Sequence, residues 1–334
     1  MFKRKWLRGL IKTNASDYLN SLQGEKVVIY SNRAVASLTL NKESTIMVNI
    51  HDITKSIELI EKRFDKFKNS EYIVAIGGGT AMDIAKYIAY KLNKKLISVP
   101  TMLSTNAYST DKTCLFKGEH KITLDAKIAD VIVFDEEVLE KATNLNSLGL
   151  FDVFSIHTAL YDWDVAIKYN NEKSHKCYNM AKRLLRKTIK FCNKNTLHKI
   201  QHSTKKIYKL VYYSGEVTNI YGSGRPESGS EHIFAKELEY RVENLPHGLA
   251  VANGIIIMSI LQNNISLELI NLLHKLQLNE LNSEYKITPE LLTSVLKTVK
   301  PREGRYTIID RVALSNKKVE EVMKKYNELV NQQN

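Results

Sequence analysis

Residues 72–86 read YIVAIGGGTAMDIAK and carry the strongest structural signal in the chain. The apolar run 72–76 predicts a buried strand, and three glycines separate it from a helical pattern. Glycine lets backbone amides approach a ligand closely, and the first N–H groups of a helix favour an anion such as a pyrophosphate. The stretch therefore predicts a phosphate-binding turn between a strand and a helix. It matches neither GxGxxG nor the P-loop, so a purely structural turn is the alternative.

Four further short apolar runs alternate with helical patterns along the first half of the chain. They are residues 27–30, 45–50, 96–99 and 131–134. Such alternation predicts a parallel sheet covered by helices, that is, an N-terminal Rossmann-like α/β domain. Thr80 and Asp83 have capping-box spacing, which predicts where the helix after the glycines begins. Residues 100–107 follow another strand and bring hydroxyl groups to the carboxyl edge of the sheet, where such folds bind ligands.

The second half of the chain shows helical periodicity and almost no strand pattern. The predicted helices are residues 178–191, 204–213, 252–261, 267–276, 290–299 and 319–330. A polar segment, 141–149 (KATNLNSLG), separates the two patterns. We therefore predict a dinucleotide-binding α/β domain over residues 1–145 and a mainly α-helical, metal- and substrate-binding domain over residues 146–334, with a ligand cleft between them.

Composition narrows the classes of function that this chain can have. Hydrophobic residues make up 43% and charged residues 25%, which is typical of a fully folded globular protein. No apolar run is long enough to span a membrane, and the basic segment 1–8 lacks an apolar core for secretion, so we expect a cytoplasmic location. The net charge of +13 fits nucleic acid, an anionic surface, an anionic substrate or simple lysine bias. Three cysteines without CxxC spacing predict reduced thiols.

Two histidines of the second half lie beside glycine and proline. His232 ends the segment SGRPESGSEH (223–232), and His247 lies between a proline and a glycine. A lone histidine is more often structural, but a metal site needs neutral imidazoles held by fixed backbone. Asp152, at the predicted start of the first helix of the second domain, is the candidate third ligand, with an N-cap as its alternative role. Such a set would leave a coordination position open for substrate.

A second histidine pair, His198 and His202, has the i, i+4 spacing of some metal sites. It lacks the glutamate of the HExxH motif and lies in a lysine-rich stretch. We predict that this pair is solvated surface.

Together these segments resemble the iron-containing alcohol dehydrogenase and dehydroquinate synthase superfamily over residues 27–310. Residues 77–86 are similar to its GGGxxxDxxK nucleotide motif, and residues 100–106 are similar to its PTxxST segment. Three stretches resemble the glycerol-1-phosphate dehydrogenase branch: SGSEH (228–232), YDW (161–163) and GRYTII (304–309). The resemblance implies a dehydroquinate synthase-like fold.

The resemblance also implies the roles of individual residues. Metal ligands are expected at Asp152, His232 and His247, and catalytic roles at Asn106, Asp152 and His247. Contacts with the cofactor are expected at Gly77, Gly78, Gly79, Thr80, Asp83, Thr101 and Ser104. Asn106 stands where the family usually has an aspartate facing the substrate, and Phe151 stands where a glycine normally precedes the ligand aspartate.

The reaction implied is hydride transfer from NADH or NADPH to C2 of dihydroxyacetone phosphate or a similar phosphorylated ketose, giving glycerol 1-phosphate. A divalent metal, zinc in first place with nickel or iron as alternatives, would act as a Lewis acid on the carbonyl oxygen. Arg225, Lys112 and Arg305 are candidate cations for the phosphate, and Asp52 is a candidate partner for the adenosine ribose that does not decide between NAD and NADP.

Two other activities are alternatives to this reaction, and the sequence also bears on the partners of the chain. A sugar-phosphate cyclase of the dehydroquinate synthase type is an alternative, because residues 247–252 resemble that branch too. A dehydrogenase for a non-phosphorylated polyol is another. Nucleic-acid binding is not expected, since no basic stripe is interleaved with aromatic residues. A homodimer or a larger homo-oligomer is expected.

Overall fold

The computed structural model describes residues 9–41, 43–118 and 120–331. The basic segment 1–8, which is not expected to be a secretion signal, lies outside these residues. The chain divides into two compact units, Met1–Asn146 and Ser147–Asn334.

The first unit is built on a parallel sheet, as predicted. In chain order the strands of the unit are β1 (Leu10–Lys12), β2 (Lys26–Tyr30), β3 (Thr45–Asn49), β4 (Tyr72–Gly77), β5 (Lys95–Pro100), β6 (Lys112–Lys117), β7 (His120–Asp125) and β8 (Val131–Phe134). The described residues form a six-stranded sheet in the order β1-β8-β5-β4-β2-β3, with every pair parallel. β6 and β7 form a separate antiparallel hairpin, which the sequence analysis missed.

Short helices and one long helix cover this sheet. They are α1 (Ala15–Ser21), α2 (Asn32–Val35), α3 (Ile50–Ile53), α4 (Ile57–Glu61), α5 (Phe64–Phe67), α6 (Gly79–Lys91), α7 (Glu136–Glu140) and α8 (Thr143–Asn146). Val28, Val74, Ile97 and Val133 from four strands pack in one buried apolar cluster. Parallel strands buried on both faces read as apolar runs, which is why the sequence pattern located them.

The second unit is helical, as predicted. Its helices are α9 (Leu148–Phe154), α10 (Ile156–Tyr169), α11 (Lys176–Lys194), α12 (Leu197–Gln201), α13 (Thr204–Tyr221), α14 (Ser230–Arg241), α15 (His247–Leu261), α16 (Leu267–Lys275), α17 (Leu278–Glu284), α18 (Pro289–Thr298) and α19 (Asn316–Val330), with a 3₁₀ turn at Ile308–Asp310. None of the described helices combines the length and apolar character that crossing a membrane requires.

Helix α15 is the centre of this unit. Its sequence is apolar on all sides, and nearly all of its residues are buried, as expected for a helix without a polar face. Two glycines let neighbouring backbone come close. A Cβ built on Gly248 would lie 2.3 Å from the carbonyl oxygen of Leu148 in α9, and one built on Gly254 would lie 2.6 Å from that of Glu231 in α14. α15 therefore holds α9 and α14 at close range, and each of these three helices supplies one residue of the cluster described next.

Candidate metal centre

Asp152, His232 and His247 come together in the second unit. Asp152 lies inside α9, His232 is the third residue of α14, and His247 is the first residue of α15. One potential ligand atom from each lies within 4.8 Å of the other two. The Nε2 atoms of His232 and His247 lie 3.2 Å and 3.6 Å from Oδ1 of Asp152. The prediction that Asp152 begins a helix, as an N-cap would, is wrong, because α9 starts four residues earlier.

The donor set suits a divalent metal. Two imidazole nitrogens and one carboxylate oxygen are ligands typical of catalytic zinc sites, which keep a position open for water or substrate. Within residues 9–41, 43–118 and 120–331, no other group of three or more histidine, cysteine or acidic side chains is close enough to share an ion. The described residues therefore offer one place for a metal of this kind.

Two glutamates orient the imidazoles. Oε1 of Glu231 lies 2.8 Å from Nδ1 of His232, and Oε1 of Glu239 lies 2.5 Å from Nδ1 of His247. A carboxylate behind each imidazole fixes the proton on Nδ1 and leaves Nε2 for a metal. The sequence analysis missed both glutamates. Glu231 precedes His232 directly, but nothing in the sequence marks it as a partner. Glu239 meets His247 only in the folded chain, so no sequence signal pointed to it.

Charges in the cluster favour a cation. Burial raises the pKa of the Asp152 carboxyl, but hydrogen bonds with His232 and His247 outweigh burial and lower it below the ordinary value. Burial lowers the pKa of His247, yet Glu239 and Asp152 together raise it to about 10. The pKa of His232 is likewise raised, since Asp152 and Glu231 outweigh burial. Without a metal, protons on the imidazoles therefore balance the negative charge of the carboxylates. A bound metal ion would supply that positive charge instead.

Three motifs from distant parts of the sequence meet at one buried carboxylate, that of Asp162. Its oxygens accept hydrogen bonds from the backbone N–H of Ser230 at 2.6 Å and of Ile308 at 2.8 Å. Burial and the nearby charge of Glu231 raise the pKa of Asp162 to about 6. Asp162 therefore fastens both the start of α14 and the segment 304–309 to α10.

Gly229 makes this fastening possible. Its N–H donates to Oε1 of Glu231 at 2.6 Å. A Cβ built on Gly229 would lie 2.4 Å from Oδ2 of Asp162, 3.0 Å from Cα of Ala159 and 3.1 Å from Oε2 of Glu231. A glycine is required here because two carboxylates and a helix backbone converge on its Cα.

The glycine-rich turn lies at the carboxyl edge of the sheet in the first unit. Gly77 has a φ of +152°, and its carbonyl accepts a hydrogen bond from the N–H of Thr101 at 3.1 Å. Gly77 pairs with Pro100, so the glycine-rich turn and the segment 100–107 leave the sheet side by side. α6 begins at Gly79 with Gly78 as its N-cap, and no side chain caps it. Uncapped N–H groups at a helix start are suited to an anion.

The predicted capping box of Thr80 and Asp83 is wrong. The Asp83 carboxylate instead pairs with the ammonium groups of Lys55 at 2.8 Å and Lys86 at 3.5 Å. Burial raises the pKa of Asp83, but the two lysines outweigh burial and lower it. The Asp83 carbonyl also accepts a hydrogen bond from Thr113 in β6 at 2.8 Å. Asp83 therefore holds α6 against the hairpin, and its contact with a cofactor stays a prediction.

The other predicted residues of the first unit lie near the same edge. Thr101 and Ser104 are buried directly after β5. The Asn106 carbonyl accepts hydrogen bonds from the N–H and the hydroxyl of Ser109 at 2.9 and 3.0 Å, so Asn106 opens a turn. Asp52 is exposed in α3, directly after β3. The catalytic role of the Asn106 side chain stays a prediction.

The three candidate cations for a phosphate differ in their partners. Lys112 pairs with Asp125 at 2.5 Å and with Asp111 at 3.4 Å. Arg225 is buried and pairs with Glu172, to which its Nε donates at 2.8 Å. Arg305 donates from one guanidinium nitrogen to the carbonyl of Ser228. Of the three, only Arg305 has no carboxylate partner within the described residues.

The remaining predictions concern histidines and cysteines. His198 and His202 are exposed and their rings stack with centroids 4.2 Å apart, so they are surface residues, as predicted. The three cysteines are free, as predicted, and burial raises the pKa of the Cys192 thiol to about 12.

Known proteins resemble this chain in sequence. Residues 8–143 match the model of the iron-containing alcohol dehydrogenase family. The chain is 30% identical over 272 residues to the glycerol-1-phosphate dehydrogenase [NAD(P)+] of Methanococcus aeolicus, covering 77% of this chain and 78% of that protein. The chain belongs to the glycerol-1-phosphate dehydrogenase family. The family member from Metallosphaera sedula is 28% identical over 323 residues, 92% of this chain and 91% of its own length.

The fold is shared more widely than this family. A probable glycerol dehydrogenase from Sinorhizobium meliloti superposes with a TM-score of 0.69 at 15% identity, covering 97% of this chain and 98% of that chain. The predicted superfamily and fold class are therefore confirmed, and this glycerol-1-phosphate dehydrogenase family member has the expected sheet and helical parts.

Proposed function

We propose that the chain is a metal-dependent oxidoreductase that reduces dihydroxyacetone phosphate to glycerol 1-phosphate with NADH or NADPH. The observation that carries the proposal is the cluster of Asp152, His232 and His247, backed by Glu231 and Glu239, in a member of this family. Relatives that carry the name glycerol-1-phosphate dehydrogenase [NAD(P)+] support the choice of substrate and cofactor.

The reaction balances with one hydride and one proton. Hydride from the reduced nicotinamide adds to the carbonyl carbon C2, and a proton adds to its oxygen, which leaves oxidised cofactor and an alcohol. A divalent ion held by Asp152, His232 and His247 would supply Lewis-acid polarisation of that carbonyl. The donor set favours zinc, and nickel or iron(II) also accept two imidazoles and a carboxylate.

The chain's own side chains keep the site in one arrangement. Glu231 and Glu239 hold each imidazole by its Nδ1, so that both Nε2 atoms are directed at Asp152. Glu231 is itself fixed by the Thr158 hydroxyl at 2.8 Å. Such support limits rotation of the ligands, which catalysis by orientation requires.

In the first unit, the glycines 77–79 and the uncapped start of α6 are the proposed site for the pyrophosphate of the cofactor. Thr101 and Ser104 lie at the same edge of the sheet and are proposed as further contacts. The predicted cytoplasmic location and homo-oligomeric state stay predictions.

The experiment follows oxidation of reduced nicotinamide by absorbance. Metal-stripped protein is reloaded with Zn²⁺, Ni²⁺ or Fe²⁺ and offered dihydroxyacetone phosphate or dihydroxyacetone, with NADH or NADPH. We expect metal-dependent turnover of the phosphorylated ketose, no turnover by His232→Ala, and a product that only the glycerol 1-phosphate stereoisomer matches. Preference for dihydroxyacetone would indicate a polyol dehydrogenase. Release of inorganic phosphate from a longer sugar phosphate without net oxidation of cofactor would indicate a cyclase.

A further inference from the structure

Arg305 is a positive charge that forms no salt bridge with the described residues. It follows α18 in the segment 304–309, and one of its guanidinium nitrogens donates to the carbonyl of Ser228. Within the described part of the chain, no carboxylate oxygen lies within 4.0 Å of this guanidinium. The nearby Arg225, in contrast, is matched to Glu172 by two hydrogen bonds. Arg305 is half-buried, and its guanidinium donors that do not contact Ser228 stay open to a ligand of opposite sign.

Two other arginines lie near Arg305. Burial, together with the charges of Arg225 and Arg302, lowers the pKa of the Arg305 guanidinium to about 10, although the charges of Glu231 and Glu172 act to raise it. Arg225 is buried, and one of its terminal nitrogens has no hydrogen-bond partner among the described residues. An anion near these guanidinium groups would relieve their mutual repulsion.

Arg305 contacts the segment that leads to one of the candidate metal ligands. The carbonyl that it contacts belongs to Ser228, four residues before His232. Asp162 fastens the same two segments a second time, through the N–H groups of Ser230 and Ile308.

We propose that Arg305, with Arg225 and Arg302 around it, forms the subsite that binds the phosphate group of the substrate beside the metal centre. This inference rests on the proposed function, and it selects one of the candidate cations that the sequence leaves open. A guanidinium offers a planar fork of N–H donors that matches a phosphate dianion, and Arg305 has donors beyond the one that contacts Ser228.

The experiment compares two substrates on the metal-loaded enzyme. The variants are Arg305→Gln and the charge-conserving Arg305→Lys, and the matched control is Arg311→Gln, which removes an exposed arginine stacked on Tyr169 in the adjacent turn. For Arg305→Gln we expect kcat/KM for dihydroxyacetone phosphate to fall roughly 10- to 100-fold, mainly through KM, as for loss of one charge-assisted hydrogen bond. Activity with dihydroxyacetone and metal content should stay unchanged, and Arg305→Lys should recover part of the loss.

A second measurement does not depend on turnover. Inorganic phosphate should bind to the metal-loaded wild-type and Arg311→Gln proteins in calorimetry, and at least 10-fold more weakly to Arg305→Gln. Equal losses with both substrates, or equal phosphate binding by all proteins, would overturn the subsite. If the wild-type enzyme reduces neither ketose but phosphate binding still depends on Arg305, the proposed function fails and the anion site stands. An Arg305→Gln protein that loses its metal would show a structural role and overturn the proposal.

Discussion

Replacing Gly229 with alanine tests whether the start of α14 is as tightly constrained as the structure indicates. The new Cβ would lie 2.4 Å from Oδ2 of Asp162, about 1 Å short of ordinary van der Waals contact. It would also press on the α10 backbone at Ala159, 3.0 Å away, which cannot move aside as a flexible side chain can. The overlap must therefore be relieved by shifting the turn that carries Glu231.

The size of the effect follows from two contributions. Overpacking of a well-packed interior costs about 1–3 kcal/mol, and weakening a hydrogen bond to a charged group costs about 1.5–3 kcal/mol. We expect Gly229→Ala to lower the free energy of unfolding by about 3 kcal/mol and to weaken metal binding about 10- to 100-fold, as changes behind a metal ligand usually do.

The assay is urea unfolding followed by fluorescence of the buried Trp163, together with metal titration against a competing chelator. Gly224→Ala is the matched control, because its Cβ would lie 3.4 Å or more from its neighbours and its φ is not positive. That variant should stay within about 0.5 kcal/mol of the parent. If Gly229→Ala unfolds and binds metal as the control does, the constraint that we assign to Asp162 and Glu231 is wrong.

The remaining predictions concern ligands, protons and the cofactor. His247→Ala should retain the helical circular-dichroism spectrum but lose the bound ion and turnover, as elemental analysis and the nicotinamide assay would reveal. Because the raised pKa of His247, about 10, keeps its imidazole protonated at pH 7 without metal, loading an ion should release about one proton, measurable by calorimetry in buffers of different ionisation enthalpy. That proton stabilises the metal-free fold fully below the unfolded pKa of 6.5, and the stabilisation is lost as the pH rises through about 10. Denaturation curves of the metal-free protein should therefore show a falling free energy of unfolding across this pH range. Gly78→Val should reduce cofactor affinity more than stability. The new Cβ would lie 2.9 Å from Sδ of Met102, which is flexible and can move, but it would block the approach of the backbone to a pyrophosphate. Unchanged affinity in a binding titration would show that the turn has only a structural role. Asn106→Asp should alter the pH profile of turnover or the substrate preference, and identical profiles from pH 5 to 9 would support a turn-forming role.

The sheet could be predicted because four of its strands, β2, β4, β5 and β8, are short apolar runs that are buried on both faces. β1 escaped because it has only three residues, partly exposed, and β6 and β7 escaped because their polar and charged residues interrupt the pattern. Helix α10 was missed for a related reason. It contains Asp162, a carboxylate that reads as surface but is fully buried, and its burial depends on backbone N–H groups from distant segments.

The same distinction between local signals and tertiary contacts applies to the residues of the candidate site. His232 and His247 could be singled out because glycine and proline mark them in the sequence, and the family motif added Asp152. Glu239 could not, since a glutamate on a helix is usually solvated and only the fold brings it to His247. The carboxylate partner of Arg225, and the lack of one at Arg305 among the described residues, are likewise products of tertiary contact.

The carboxylates of Asp152, Glu231 and Glu239 also set the net charge of the centre. Together they bring more negative charge than one divalent ion supplies in positive charge. Such a centre does not attract an anion by its net charge, so a phosphorylated substrate would need positive charge from residues outside the cluster. The side chains that suit a cation therefore leave the recognition of a phosphate to other parts of the site.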